Sequence, residues 1–129
     1  MSVAQAQELF NNVPRNDVLG FFKNGEPQYK RPVEFLRFKK DDVAVATNTP
    51  KSSIRYDQKM PEELKERLTE WATAINLVAS YFEDTDKTML WFQVPNPLLG
   101  NVSPRDMIRL GRFKKLYKFI VSALDENKR

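Results

Sequence analysis

The chain has 129 residues, the usual length of one domain, and 41% of them are hydrophobic. It contains no cysteine and no histidine, which excludes disulfides, thiolate zinc sites, cysteine nucleophiles and the most common general base. The net charge of +4 permits an anionic partner without requiring one. We therefore expect a protein that is not an enzyme and that uses neither a metal nor another cofactor.

The chain carries 4 glycines and 8 prolines and lacks the long alternating patterns of a sheet. We accordingly predict an all-α fold of about seven helical segments. No apolar run approaches the roughly 20 residues that span a bilayer, and the first residues lack a basic leader followed by an apolar stretch. We expect a cytoplasmic protein without a membrane partner.

Residues 1–31 are predicted to form an arm that packs on the body of the protein or on a second subunit. Ser2 is a candidate cap for a short helix, whose apolar residues are Val3, Ala6, Leu9 and Phe10. Residues 17–23 are expected to add one or two further helical turns. The run Asn24-Gly25-Glu26-Pro27 is typical of a turn.

Residues 32–60 are predicted to form three short helices, with Pro32 at the first position of the first helix. Asn48 precedes the third helix, at a position where a left-handed backbone is tolerated by Asn. That third helix is predicted at residues 50–56, with Ile54 facing the core. The segment has the length of a helix-turn-helix unit, whose second helix enters the major groove of DNA. The candidate DNA contacts are Lys51, Ser52, Ser53 and Arg55. The alternative is a plain three-helix scaffold with a solvated polar face.

Residues 61–83 are predicted to form one long linking helix that begins at Pro61, with glutamates near its positive end. Apolar residues recur along it at spacings of 4, 3, 4, 3 and 4, namely Leu64, Leu68, Trp71, Ile75, Val78 and Phe82. Such a seam is typical either of the spine of a core or of a dimer interface.

Residues 84–129 are predicted to contain a helix at 84–94, a second helix that starts at Ser103-Pro104, and a last helix after Gly111. The apolar face of the last helix consists of Phe113, Leu116, Ile120 and Leu124, and it is widened by Phe119 and Ala123.

The charge is segregated along the chain. Residues 84–129 contain nine basic and five acidic side chains, whereas residues 61–83 contain two basic and five acidic ones. A basic surface of this kind suits docking onto an acidic partner. The alternative is a solvated helix face with no partner.

The residues from Trp91 to Leu124 resemble the toxin-binding domain of the Xre/MbcA/ParS antitoxins. That domain shows a Trp, a Pro-Asn pair, a Leu-Gly turn, a Pro-led apolar helix, a Gly and a final apolar helix. The matching residues, which are expected to build the domain, are Trp91, Pro95, Asn96, Leu99, Gly100, Pro104 and Gly111. Residues 36–60 are similar to the degenerate helix-turn-helix of many Xre members, with Asn48 where a Gly is usual.

The resemblance implies an antitoxin of a type II toxin–antitoxin system. Its partner would be a RES-domain toxin, which consumes NAD, and residues 84–129 would dock on that toxin and obstruct its active site. The predicted toxin contacts are Arg105, Arg109, Arg112 and Phe113. The family further implies a homodimer whose helix-turn-helix unit binds operator DNA. The alternative hypothesis is a DNA-binding regulator without a toxin.

Overall fold

The computed structural model describes residue 17 and residues 19–127. This part of the chain contains six α-helices, two 3-10 turns and one short hairpin, which confirms the all-α prediction. The strands and helices are β1 (Phe22–Lys23), β2 (Glu26–Pro27), α1 (Lys30–Phe35), α2 (Lys40–Thr47), α3 (Glu62–Phe82), α4 (Thr85–Gln93), α5 (Pro104–Arg109) and α6 (Phe113–Asn127). The 3-10 turns are Lys51–Ser53 and Pro97–Leu99. Across the described residues, no helix combines the length and the apolar character that crossing a bilayer requires.

The hairpin replaces the helical turns predicted at residues 17–23. Asn24 and Gly25 both adopt positive φ angles, 54° and 80°, which suit a two-residue turn between antiparallel strands. The carboxylate of Asp17 accepts the N–H groups of Phe21 and Phe22 at 2.8 Å, and a helix would have required other partners for them. The prediction of a helix here is therefore wrong. The predicted Ser2-capped helix lies outside the described residues.

Helix α3 is the spine of the core, as one of the two readings of its seam predicts. Leu64, Leu68 and Ile75 are fully buried, and Trp71 is nearly so. Helices α1, α4 and α6 all pack against α3. The Phe38 ring meets the Trp71 ring edge to face, with the centroids 5.5 Å apart. The seam is thus used within the chain.

The predicted third helix at residues 50–56 is wrong in extent, because a single 3-10 turn over Lys51–Ser53 forms instead. Ile54 leaves this turn in an extended conformation and is buried in the core, as predicted. The Asp57 carboxylate then accepts the N–H of Lys59 at 3.0 Å, which favours a turn over a continued helix. Asn48 has φ 53°, which confirms its left-handed position. Helix α1 begins before Pro32 rather than at it.

The helices of the carboxyl-terminal part begin and end close to their predicted limits. Asp84 caps α4 by accepting the N–H of Lys87, and Ser103 caps α5 by accepting the N–H of Asp106. Gly111 has φ 78° and separates α5 from α6. Local capping signals are therefore sufficient to place these helices.

Replacement of Leu68 by alanine is expected to lower the free energy of unfolding by about 2–5 kcal/mol, because the fully buried side chain leaves a cavity in α3 packing. Urea unfolding followed by circular dichroism measures the change. Leu98→Ala is the matched control, since Leu98 is 78% exposed, and it should change stability by less than about 0.5 kcal/mol. Equal effects of the two substitutions would contradict the assignment of α3 as the spine.

Candidate protein-docking groove

An open apolar groove of about 210 Å³ lies where three parts of the fold meet. Its walls come from the last two turns of α3, from α4 with the loop that follows it, and from the second half of α6. The residues that line the groove are Val78, Tyr81, Phe82, Trp91, Asn96, Leu98, Phe119, Ile120, Ala123 and Leu124. Nine of these ten side chains are predominantly apolar, with Asn96 as the exception.

The loop after α4 is held in shape by its own hydrogen bonds. The Asn96 side chain accepts the N–H of Leu98 at 2.9 Å, and the Asn96 N–H donates to the Val102 carbonyl at 3.1 Å. Gly100 has φ 73°, a conformation that strains other residues. These constraints leave Leu98 at the rim of the groove with 78% of its surface exposed. Asn96 and Gly100 thus determine the shape of this loop.

Aromatic side chains make up much of the groove wall. The Trp91 ring meets the fully buried Phe92 ring edge to face, with the centroids 5.0 Å apart. Tyr81 and Phe82 meet at 5.2 Å, and Tyr81 remains 53% exposed. Trp91 therefore does more than build the domain, since its half-buried ring also lines the groove.

Further large apolar side chains are exposed on and after α4. Leu90 is 61% exposed, and Val94, four residues later, is also exposed. The interleaved Trp91 and Leu98 line the groove itself. Exposed apolar side chains scattered singly are common, whereas an apolar groove is a candidate docking surface.

Arg105, a predicted toxin contact, is engaged inside the chain. Its Nε donates to the Leu36 carbonyl at 2.5 Å, and another guanidinium nitrogen donates to the Arg37 carbonyl at 3.1 Å. The guanidinium also lies 4.8 Å from the centroid of the Phe38 ring. Arg105 therefore fastens α5 to the corner between α1 and α2, and its donors are used there rather than offered to a partner.

The other three predicted toxin contacts differ in their surroundings. Arg109 donates to the Asp106 carboxylate at 3.0 Å and is half-buried. Phe113 stacks on Tyr117, with the ring centroids 5.6 Å apart. Arg112 is exposed at the start of α6. None of the four lines the groove, so the structure does not bring the predicted contacts together with the apolar site.

The predicted DNA contacts lie together but are matched by carboxylates. Lys51 Nζ lies 2.7 Å from Asp41 Oδ1, and this hydrogen bond holds the pKa of the Asp41 carboxyl below its usual value. Arg55 donates two hydrogen bonds to Asp57, which likewise lowers the pKa of that carboxyl. The serines between them are Ser52, which is exposed, and Ser53, which is half-buried. The surface therefore offers less net positive charge than the sequence predicts.

None of the ten groove residues is among the predicted contacts. A signal existed for Phe119 and Ala123, because they widen the apolar face of α6 beyond a narrow core stripe. No pattern marks Leu98 or Tyr81, whose positions depend on the loop and on the end of α3.

A buried polar cluster lies on the other side of α6. Burial raises the pKa of Tyr117 to about 12, and the nearby Glu70 adds to the shift. Within the described residues the Tyr117 hydroxyl is buried and has no hydrogen-bond partner. Burial also raises the pKa of Glu70. The Arg67 guanidinium, whose Nε lies 2.5 Å from Glu70 Oε1, acts in the opposite direction and lowers it. In the described part of the chain, no group of three or more acidic side chains is arranged to hold a metal.

Comparisons with known proteins give limited information. No family model matches the chain, and no curated protein matches it. Among solved structures, the chain is similar to one from the crystal structure of the M. tuberculosis MbcT–MbcA toxin–antitoxin complex. The identity is 21%, the match covers 73% of this chain and 87% of the other, and the TM-score is 0.44. At this identity and TM-score, the similarity does not establish a shared function.

Replacement of Arg105 by alanine is expected to lower the free energy of unfolding by about 1–3 kcal/mol, because two backbone carbonyls lose a charged donor. Thermal or urea unfolding measures the change. Arg112→Ala removes the same side chain from an exposed position and should be nearly neutral. A neutral Arg105→Ala variant would show instead that the guanidinium is dispensable to the fold.

Replacement of Tyr117 by phenylalanine is expected to leave stability at pH 7 unchanged or to raise it by up to about 1 kcal/mol, since the lost hydroxyl has no described partner. A tyrosine pKa raised in the folded state favours the protonated form, so native stability should fall as the pH rises from 10 towards 12. Urea unfolding at pH 7 and pH 11 checks both points. The alkaline loss should be smaller in Tyr117→Phe, and an equal loss in both proteins would contradict the assignment.

Proposed function

We propose that this chain is an antitoxin that binds a toxin protein through the apolar groove and thereby neutralises it. The observation that carries the proposal is a solvent-exposed apolar groove, seven of whose ten lining residues lie between Trp91 and Leu124, the stretch that resembles an antitoxin's toxin-binding domain. The toxin that this resemblance implies is a RES-like enzyme that consumes NAD. The chain would act by covering a site on that enzyme, without chemistry of its own.

A protein partner fits the groove better than a small molecule does. Small-molecule sites are mostly enclosed cavities of about 300–1,000 Å³ with a few convergent polar groups. This groove is smaller, is open to solvent, and has Asn96 as its single amide, whose oxygen already accepts the N–H of Leu98. Leu90 and Val94, on and directly after α4, are further exposed apolar side chains that a protein surface could cover.

Charge beside the groove favours an acidic partner. Arg112 is exposed directly before α6, and Lys114, Lys115 and Lys118 are exposed along its first half. Lys115 precedes the groove residue Phe119 by one helical turn, so the two lie on the same side of α6. Positive charge at the rim of an apolar site raises the rate of association with an acidic surface and changes the affinity less. An acidic patch beside an apolar segment is therefore the expected chemistry of the toxin surface.

Operator binding through Lys51, Ser52, Ser53 and Arg55 stays a prediction, as does the homodimer that the family implies. A recognition helix presents several side chains along the major groove. The 3-10 turn at Lys51–Ser53 offers one turn, and the two cations pair with Asp41 and Asp57. The DNA-binding alternative is for this reason secondary to toxin binding in our proposal.

Leu98→Asp and Phe119→Asp are each expected to weaken binding of the toxin by about 30-fold or more, because a charge is placed in the apolar contact. The toxin candidate is the product of the adjacent gene, co-expressed with this chain and recovered by affinity purification. Growth rescue gives a second readout in the same cells. Val45→Asp is the matched control, since Val45 is 65% exposed on α2, away from the groove.

The proposal fails if the adjacent gene product is not toxic alone, or if it stays toxic beside the wild-type chain. It also fails if Val45→Asp and Leu98→Asp reduce binding equally, because the groove would then have no special role. Circular dichroism of each variant separates loss of binding from loss of folding.

A further inference from the structure

Asn96 carries the one carboxamide among the residues that line the groove, and its backbone is held by three hydrogen bonds. Its N–H donates to the Val102 carbonyl at 3.1 Å, and its carbonyl accepts the N–H groups of Leu99 and Asn101, both at 2.9 Å. A proline directly precedes Asn96 and another directly follows it, which restricts the backbone further. The Asn96 side chain is therefore attached to a backbone that has little freedom to move.

The orientation of the Asn96 carboxamide follows from one contact. The Leu98 N–H can only donate, so the side-chain atom 2.9 Å from its nitrogen is the oxygen, and Nδ2 is the other branch. Among the described residues, no atom accepts a hydrogen bond from Nδ2. An amide nitrogen of this kind carries two donors. A residue that lines the groove therefore holds a donor whose position is set before a partner binds.

The other polar atoms of the groove side chains can also donate. Trp91 has an indole N–H, which can only donate, and Tyr81 has a hydroxyl, which can donate or accept. The side-chain oxygen of Asn96 is already used by Leu98. None of the ten lining side chains is charged. A partner that fills the groove has to supply acceptor oxygens as well as apolar surface, because a donor that is buried without an acceptor weakens binding.

A carboxylate meets this requirement better than a main-chain carbonyl does. Most carbonyls of a partner's helices and strands are bonded within the partner, whereas a carboxylate has two oxygens that can each accept more than one hydrogen bond. A carboxylate on an apolar surface also requires such donors. Lys118 directly precedes the groove residue Phe119, Lys115 lies one helical turn before it, and both lysines are exposed. Their positive charge adds attraction for an acidic group.

We propose that Asn96 is a specificity-determining residue, whose Nδ2 donates to an aspartate or glutamate carboxylate in the segment of the toxin that fills the groove. This inference rests on the proposed function, and it narrows the partner to an apolar segment that contains a carboxylate. A segment of the same shape without the carboxylate would leave the donor unpaired and would bind more weakly.

Asn96→Asp tests the donor alone, because the aspartate keeps an acceptor for the Leu98 N–H. With the adjacent gene product as the probe, titration calorimetry should show binding weakened about 100-fold or more, since two carboxylates then face each other. Asn96→Ser also keeps an acceptor but adds no charge, and it should weaken binding about tenfold.

Asn101→Asp is the matched control. It adds the same charge to an exposed position of the same loop that does not line the groove, and aspartate tolerates the left-handed backbone there. Its affinity for the toxin should change by less than about threefold. Urea unfolding should give all three variants nearly the stability of the wild-type chain, which separates loss of binding from loss of folding.

Rescue from the partner distinguishes a contact from a structural role. Each aspartate and glutamate of the toxin is changed in turn to its amide, and one such change should restore the binding of Asn96→Asp by about tenfold, because amide and carboxylate have exchanged sides. The inference is overturned if Asn96→Asp binds as Asn101→Asp does. It is also overturned if no toxin variant restores binding, since the acceptor would then be a main-chain carbonyl. A wild-type chain that does not bind the toxin defeats the proposed function as well, whereas the two preceding results leave that function intact.

Discussion

The packing of α3 on almost every side is the constraint on which the rest of the structure depends. A central helix has to satisfy its polar side chains without water, and two such residues are fully or nearly fully buried here. Thr73 donates to the Thr69 carbonyl at 2.9 Å, and Asn76 donates to Asp17. The long-range bond from Asn76 connects the hairpin region to the spine. Burial of α3 therefore determines where the amino-terminal segment has to enter the fold.

The same constraint accounts for the groove. Helix α3 has 21 residues and is about 31 Å long, which exceeds the length of each helix packed against it. Its middle is covered on all sides, but Tyr81 and Phe82 at its end are only partly covered by α4 and α6. The aromatic end of the spine and the Trp91 face of α4 then leave an apolar gap. The apolar groove thus lies where the end of α3 is not fully covered by the helices packed against it.

Helix caps and apolar spacings could be predicted from the sequence, whereas local side chains that compete for backbone N–H groups, and contacts between distant residues, could not. The caps at Asp84 and Ser103, the stop at Gly111 and the seam of α3 all depend on residues within one or two turns. The hairpin at 22–27 and the short turn at Lys51–Ser53 depend on competing Asn and Asp side chains. Arg105 lies in a basic segment and was therefore predicted to contact the toxin. Its partners in the fold, Leu36 and Arg37, are 69 and 68 positions away in the sequence. No spacing rule reveals such a pair.

Because of this packing, some side chains of the carboxyl-terminal part stabilise the fold and others remain exposed. Arg105 and Phe113 contact other residues of the chain, namely Leu36 and Tyr117. Leu98 contributes little to the core and lies in a loop whose shape Asn96 and Gly100 determine. A loop whose backbone is already held loses little further backbone freedom when a partner covers it, so more of the apolar burial appears as affinity. The rigid loop is therefore better suited to recognition than the basic helix ends are. If the groove docks a protein as proposed, its specificity would therefore reside in the shape of the 95–102 loop, and the surrounding charge would govern the association rate.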